Sequence, residues 1–137
     1  MRYLVQEGLD FSASKSYYNR YNNYTRIEPA CKFIKDHFSE NIRLDEIASS
    51  VNMSASNFSI VFKKATGFSP IEYLIRVRIS NASVMLFETD GNIIDIAQNC
   101  GFSSMSNFIE MFKRYTGKTP SDFRKSISNQ GLVSTAM

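Results

Sequence analysis

The sequence contains few of the residues on which catalytic and metal-binding sites depend. Among 137 residues there is one histidine, His37, and there are two cysteines, Cys31 and Cys100. Neither cysteine has a second Cys or a His at the spacing of a metal-ligand pair, and each falls within an apolar pattern. We therefore expect two buried free thiols, an exposed helical His37, no metal, no cofactor and no enzymatic activity.

Long apolar runs and a leader pattern are also missing. Apolar residues make up 43% of the chain and charged residues 21%, but no apolar stretch is long enough to cross a bilayer. The first eight residues lack the basic start, apolar core and small-residue cleavage site of a signal peptide. The sequence thus predicts a cytoplasmic protein without a membrane partner.

The charge balance is mildly basic. A net charge of +3 permits a polyanionic partner without requiring one. Acidic residues are frequent over residues 28–46, whereas basic residues are grouped over residues 63–78 and 113–125. These basic groups are either solvated helix faces or contacts to a polyanion, and composition alone leaves both interpretations open.

Both ends of the chain lack a sustained helical or strand period. Residues 1–26 include the stretch SYYNRYNNYT, whose Tyr and Asn content predicts a polar linker or arm. Residues 126–137 are mostly small and polar, which predicts a flexible tail. We assign residues 27–125, between these ends, to one domain.

Within this domain the apolar residues recur at helical spacing. The first helix is expected to begin near Ile27, with Pro29 in its first turn, where the missing N–H of proline is tolerated. A short second helix over residues 44–51 is expected to end at Asn52, because asparagine adopts the left-handed conformation more readily than most residues.

A third helix and a long fourth helix follow. Apolar residues lie at steps of zero, three, four and seven from Phe58, which is typical of an amphipathic helix. Gly67 is expected to end this helix in a left-handed C-cap. The segment from Ser69 to Glu72 has the pattern of a capping box with proline at the first helical position, which predicts a long helix over residues 70–86.

The same pattern occurs a second time about fifty residues later. The apolar stripe recurs from Phe108, the helix-ending glycine at Gly117, and the capping pattern at Thr119. Corresponding residues of the two copies lie 49 positions apart before the longer helix and 50 positions apart within it. One residue is therefore inserted between these two parts of the repeat. A motif that occurs in only two copies indicates a pair rather than a solenoid.

Each copy has the outline of a helix-turn-helix. A short helix leads through a tight turn, at Asn52 or Gly101, into a longer helix with a polar face. The copies span about residues 44–66 and 93–116, and the helix over residues 70–86 connects them. We therefore predict an all-α fold that contains two helix-turn-helix subdomains.

Four stretches carry a resemblance to a known family. They are LDEIA and FKKATGFSP in the first copy, and IAQNCGFSSMSNF and FKRYTGKTP in the second. From about Ile27 to Lys125 the chain resembles the DNA-binding domain of the AraC/XylS family of bacterial transcription regulators. The resemblance implies a monomeric module of about seven helices, in which two helix-turn-helix subdomains are joined by a long central helix. This module inserts one helix of each copy into successive major grooves of double-stranded promoter DNA, more often as an activator. It also implies RNA polymerase as a partner.

The apolar stripes indicate which side chains face away from the core and are candidates for DNA contact. The candidates are Ala55, Ser56, Asn57, Ser59, Ile60 and Lys63 in the first copy, and Ser104, Met105, Ser106, Asn107, Ile109, Glu110 and Lys113 in the second. The two asparagines suit adenine and the two lysines suit phosphates. Local hydrogen bonding at the helix start is the alternative for the asparagines, and simple solvation is the alternative for Lys64 and Arg114.

The chain departs from the family at Ile60 and Glu110, where members often carry arginine. Ile60 suits a thymine methyl group and Glu110 suits cytosine N4, but an acid near phosphates opposes binding. We therefore expect modest affinity. A central helix of about 17 residues spans ~25 Å, whereas one duplex turn is ~34–36 Å, so we also expect bent DNA or one incompletely seated copy.

A second hypothesis belongs to another functional class. An adaptor derived from this family would bind a protein through an exposed apolar surface of Ile60, Met105 and Ile109, and would recognise DNA only weakly. The operator, the regulated genes, an effector, the oligomeric state, and whether the chain is a fragment of a longer regulator stay open.

Overall fold

The computed structural model describes the backbone of residues 11–136 and the side chains of residues 22–128. These residues form seven helices and no strand, as the predicted all-α fold requires. The helices are α1 (Phe11–His37), α2 (Leu44–Ser49), α3 (Ala55–Thr66), α4 (Pro70–Glu88), α5 (Ile93–Asn99), α6 (Met105–Thr116) and α7 (Pro120–Ala136). Within the described part of the chain, no helix is both long and apolar enough to span a membrane.

The chain divides into two compact units. Among the described residues, unit 1 comprises residues 11–36 and 43–72, and unit 2 comprises residues 37–42 and 73–136. The pair α2 and α3 therefore lies in unit 1 and the pair α5 and α6 in unit 2. Helix α4 belongs to unit 1 up to Glu72 and to unit 2 from there on.

The helix pair of unit 1 packs through the apolar stripe that the sequence predicted. Phe58 and Phe62 of α3 are fully buried, and their ring centroids lie 5.2 Å apart. Ile47 and Ala48 supply the buried side of α2. Between the helices Asn52 has a φ of 57°, the predicted left-handed conformation.

The helix pair of unit 2 repeats this packing with additional aromatic contacts. Phe108 and Phe112 of α6 are fully buried with ring centroids 5.7 Å apart. The ring centroids of Phe102 and Phe108 lie 5.0 Å apart, and the ring of Phe123 in α7 packs edge-on against that of Phe112 with the centroids 5.3 Å apart. Gly101 takes the turn position with a φ of 94°.

The structure differs from the sequence-based expectation at both ends of the domain. Residues 11–26 are helical, so α1 begins at Phe11 rather than near Ile27, and Pro29 lies inside the helix. No glycine or proline occurs between Phe11 and Glu28, so nothing stops the helix from propagating through this polar stretch. Helix α7 likewise continues to Ala136 through the expected tail. Residues 1–10 and 137 lie outside the described residues.

Two arginines of unit 2 bind the backbone where a helix-turn-helix begins. Arg78 donates from Nε to the oxygen of Phe38 at 2.8 Å and from Nη2 to the oxygen of Glu40 at 2.9 Å. Arg124 donates to the oxygens of Leu86, Thr89 and Gly91, at 3.3, 3.0 and 2.6 Å. Of these five oxygens only that of Leu86 lies within a helix, and the others belong to the loops that follow α1 and α4. Each guanidinium therefore holds the start of a loop.

Candidate nucleic-acid interface

The longer helix of each copy begins and ends in the same way. The Oγ of Ser54 accepts a hydrogen bond from the backbone N of Asn57 at 3.3 Å, and the Oγ of Ser104 accepts one from Asn107 at 3.1 Å. Serine at this N-cap position satisfies a donor that the helix itself leaves unpaired. Left-handed glycines end both helices, so α3 and α6 are each 12 residues long.

Helix α3 presents a polar face opposite its buried phenylalanines. This exposed face of α3 consists of Ser56, Asn57, Ile60 and Lys63. Ile60 leaves 57% of its surface exposed. Ala55 and Ser59, the other candidates on α3, are half-buried.

Helix α6 presents an equivalent but more charged face. This exposed face of α6 consists of Ser106, Asn107, Ile109, Glu110 and Lys113, with the N-cap Ser104 also exposed. Lys113 occupies the position of Lys63 in the repeat.

Met105 does not lie on the exposed face of α6. Its side chain is half-buried and packs against the core cluster of unit 2. It precedes Phe108 by three residues and therefore extends the same apolar stripe by one turn. Met105 is thus a core residue rather than part of the exposed apolar surface that the adaptor hypothesis assigned to it.

The side-chain amides of Asn57 and Asn107 are available for a ligand. At both helix starts the local hydrogen bond runs from the asparagine backbone N to a serine Oγ, not from the asparagine side chain. Among residues 22–128, neither amide group has a hydrogen-bond partner. The described residues thus show no helix-start hydrogen bond from either side-chain amide, and the role of the two asparagines stays a prediction.

Glu110 and Arg114 form an ion pair on the exposed face of α6. Arg114 Nη2 lies 3.3 Å from Glu110 Oε2, and the two residues are one helical turn apart. Arg114 is therefore not simply solvated. The sequence carried a signal for this pair, since opposite charges four residues apart on a helix face each other. In α3 the equivalent positions hold Ile60 and Lys64, which cannot form such a pair.

The cysteines and the histidine are not part of these exposed faces. Cys31 and Cys100 are buried free thiols, as predicted. Burial raises the pKa of the Cys100 thiol to about 11, while the charge of Arg78 acts in the opposite direction. His37 is half-buried at the end of α1, with Nδ1 2.9 Å from Glu40 Oε2.

Comparisons with known proteins agree with this geometry. Residues 47–126, more than half of the chain, match the family model described as a helix-turn-helix domain. The DNA-binding domain of AdpA, solved in complex with a target DNA, has a TM-score of 0.73 at 25% identity, over 76% of this chain and 94% of that one. The chain belongs to the AraC/XylS family of DNA-binding transcription regulators. The AraC-type regulator from Chromobacterium violaceum is similar as well, with a TM-score of 0.72 at 25% identity, over 77% of this chain and 95% of that one.

Curated relatives of this AraC/XylS protein are longer regulators. The Msm operon regulatory protein of Streptococcus mutans is 33% identical over 118 residues, which is 86% of this chain and 39% of the relative. The transcriptional activator RhaS of Klebsiella pneumoniae is 33% identical over 76% of this chain and 37% of its own. The chain thus spans about two fifths of the length of these relatives. Its family and its all-α helix-turn-helix fold are confirmed, and its DNA-contacting residues stay predictions.

Proposed function

We propose that this chain binds promoter DNA sequence-specifically, with α3 and α6 each inserted into a major groove, and that it activates transcription in the bacterial cytoplasm. The observation that carries the proposal is the equivalence of the exposed faces of α3 and α6. Both begin with a serine-capped turn, both display an asparagine amide without a partner among the described residues, and both place an exposed lysine one turn from the end.

The side chains on these faces divide by chemistry. Lys63 and Lys113 suit phosphates, where they fix position without discriminating between sequences. Asn57 and Asn107 suit the N6 and N7 edge of adenine, and Ile60 suits the methyl group of thymine. Hydroxyl groups suit phosphates or base edges, and they come from Ser56, Ser59, Ser104 and Ser106.

Activation is the sign of regulation that we propose, because the RhaS relatives are named as activators. RNA polymerase is the expected protein partner of an activator that binds at a promoter. Bending of the bound duplex remains our expectation from the length of α4, because deformation lets two recognition helices reach their grooves at a cost of only a few kcal/mol.

The salt dependence of binding tests this function. We expect the affinity of the 137-residue chain for a selected duplex, measured by fluorescence anisotropy, to fall steeply and linearly in a plot of log affinity against log salt. Lys63→Ala and Lys113→Ala should each make the slope shallower by about 0.9, the contribution of one phosphate contact. Lys32→Ala is the matched control, since Lys32 lies on α1 and pairs with Asp36. A flat slope, or no binding at low salt, would overturn the proposal and favour the adaptor.

Charge reversal on α6 gives an independent test. Glu110→Arg replaces an acid by a cation, so it should steepen the salt slope and tighten binding to duplexes of unrelated sequence if α6 lies in a groove. Unchanged affinity and slope would count against that placement.

A further inference from the structure

We propose that Glu110 and Arg114 together recognise one C·G base pair in the major groove. The Glu110 carboxylate accepts a hydrogen bond from the N4 amine of cytosine, and the Arg114 guanidinium donates to the guanine of the same pair. This assignment rests on the proposed placement of α6 in a major groove.

The ion pair leaves both partners with unused hydrogen-bonding capacity. One nitrogen of Arg114 and one oxygen of Glu110 meet at 3.3 Å. Among the described residues, no other hydrogen bond to either side chain occurs. Because a carboxylate has a second oxygen and a guanidinium has five N–H donors, the pair offers an acceptor and a donor side by side. Both side chains are open to a ligand, at 64% exposure for Glu110 and 56% for Arg114.

The position of the pair on the helix matches that of the other candidate base contacts. Glu110 follows Asn107 by three residues and Arg114 follows Glu110 by four, so the three side chains form one row along α6. Phe108 and Phe112 are buried on the opposite side of the helix. A ligand that Asn107 can contact is therefore within reach of the Glu110 carboxylate as well.

The edge of a C·G pair complements this arrangement. In the major groove cytosine presents the N4 donor and its partner guanine presents the O6 and N7 acceptors. Thymine O4 and guanine O6 and N7 would repel a carboxylate, and adenine places the acceptor N7 beside its N6 donor. Cytosine is thus the base whose edge offers Glu110 a donor without an adjacent acceptor.

Pairing with Arg114 also explains how α6 carries an acid on a surface that faces DNA. An unpaired carboxylate would oppose the phosphates, whereas a neighbouring guanidinium compensates its charge. Helix α3, with Ile60 and Lys64 at these positions, has no equivalent acceptor. The cytosine preference should therefore occur only in the half of the site bound by α6.

The test begins with duplexes selected from a random pool by the 137-residue chain, followed by affinities for all four base pairs at each position. At one position the wild-type chain should prefer C·G over T·A by about 5- to 150-fold, the discrimination expected of one good base contact. Glu110→Ala should reduce this preference to the part that the Arg114 contact with guanine supplies, and it should bind the T·A duplex as tightly as the wild type or more tightly. Asp36→Ala, which removes an acid from the exposed ion pair of α1, should retain the preference.

Base analogues at that position identify the contacted atoms. Pyrimidin-2-one, which lacks only the N4 amine of cytosine, should weaken wild-type binding but not the binding of Glu110→Ala. Substitution of 7-deazaguanine for the paired guanine should weaken DNA binding by the wild type more than it weakens DNA binding by Arg114→Ala.

The outcomes separate this inference from the proposed function. If Glu110→Ala keeps the C·G preference undiminished, or weakens binding to all duplexes equally, while the salt slope stays steep, the pair only supports the helix and the inference is wrong. If the chain shows no salt-dependent DNA binding, the proposed function fails and the inference fails with it.

Discussion

The Nε atom of Arg78 donates a 2.8 Å hydrogen bond to the backbone oxygen of Phe38. The same guanidinium binds the oxygen of Glu40, so Arg78→Ala removes two hydrogen bonds and leaves two carbonyl groups without this donor. Hydrogen bonds that involve a charged group contribute about 1.5–3 kcal/mol each. We expect the free energy of unfolding, measured in urea, to fall by about 3 kcal/mol.

Lys32→Ala is the control for this change, because Lys32 makes an exposed ion pair worth less than about 1 kcal/mol. Similar losses in the two variants would show that the Arg78 hydrogen bonds contribute no more than a surface contact.

Gly101 leaves room for the hydrogen bond between Arg78 and the backbone oxygen of Phe38. A Cβ at Gly101 would lie 2.6 Å from the Phe38 oxygen and 2.8 Å from Arg78 Nε, in addition to the strain of a φ of +94°. Gly117 has a similar φ of +85°, but a Cβ there would meet nothing within 4 Å. We expect Gly117→Ala to cost about 1–2 kcal/mol of stability and Gly101→Ala about 3 kcal/mol or more, since overpacking adds to the strain. Thermal unfolding of both variants checks the order, and equal costs would contradict the predicted steric conflict.

Cys100 should make the stability of the fold depend on alkaline pH. Burial raises the pKa of its thiol from 9.0 to about 11. Below pH 9 the thiol is protonated in both the folded and the unfolded chain, whereas between pH 9 and about 11 it ionises only when the chain unfolds. The free energy of unfolding should therefore fall by up to about 2–3 kcal/mol as the pH rises from 9 to about 11.

Cys100→Ala removes this titration. The stability difference between wild type and variant, measured by urea denaturation from pH 8 to 11, should shrink as pH rises. A constant difference would contradict the raised pKa.

Ser104 and Ser106 lie two residues apart but should respond differently to substitution. Ser104→Ala removes the N-cap of α6 and should lower stability by about 1 kcal/mol. Ser106→Ala changes an exposed side chain and should alter stability by less than about 0.5 kcal/mol, yet it should weaken DNA binding. Denaturation and anisotropy measurements on the same two proteins separate the roles, and a larger stability loss in Ser106→Ala would contradict the assignment.

The helix pairs were predictable because their signals are local. Apolar residues at steps of three and four set the buried sides of α3 and α6, and the glycines at 67 and 117 mark where these helices end. Repetition at an offset of 49 to 50 residues strengthened each signal. The turn conformations at Asn52 and Gly101 followed from residue type for the same reason.

The contacts of Arg78 and Arg124 were not predictable in this way. Arg78 binds backbone atoms 38 and 40 residues away, and Arg124 binds backbone atoms 33 to 38 residues away. Every residue type has the same backbone oxygen, so the sequence does not indicate which residue accepts a hydrogen bond of this kind. Both arginines were therefore counted only as members of basic groups.

Met105 and the start of α1 were missed for a different reason. The apolar stripe of α6 was counted from Phe108, although its period extends one turn earlier to Met105, which packs on the core. The start of α1 was placed where apolar spacing begins, but a helix can continue through polar residues when no breaker interrupts it. In both cases a boundary was drawn from hydrophobicity alone.

The central claim is that α3 and α6 each occupy a major groove of the same duplex. Methylation of guanine N7 in the major groove, scored for interference with binding of the 137-residue chain to a selected duplex, tests it most directly. We expect two clusters of interfering guanines about one helical turn, or 10 base pairs, apart. Asn57→Ala and Asn107→Ala should each weaken the preference for adenine in the half of the site that its own helix binds. A single cluster, or binding insensitive to major-groove methylation, would contradict the central claim.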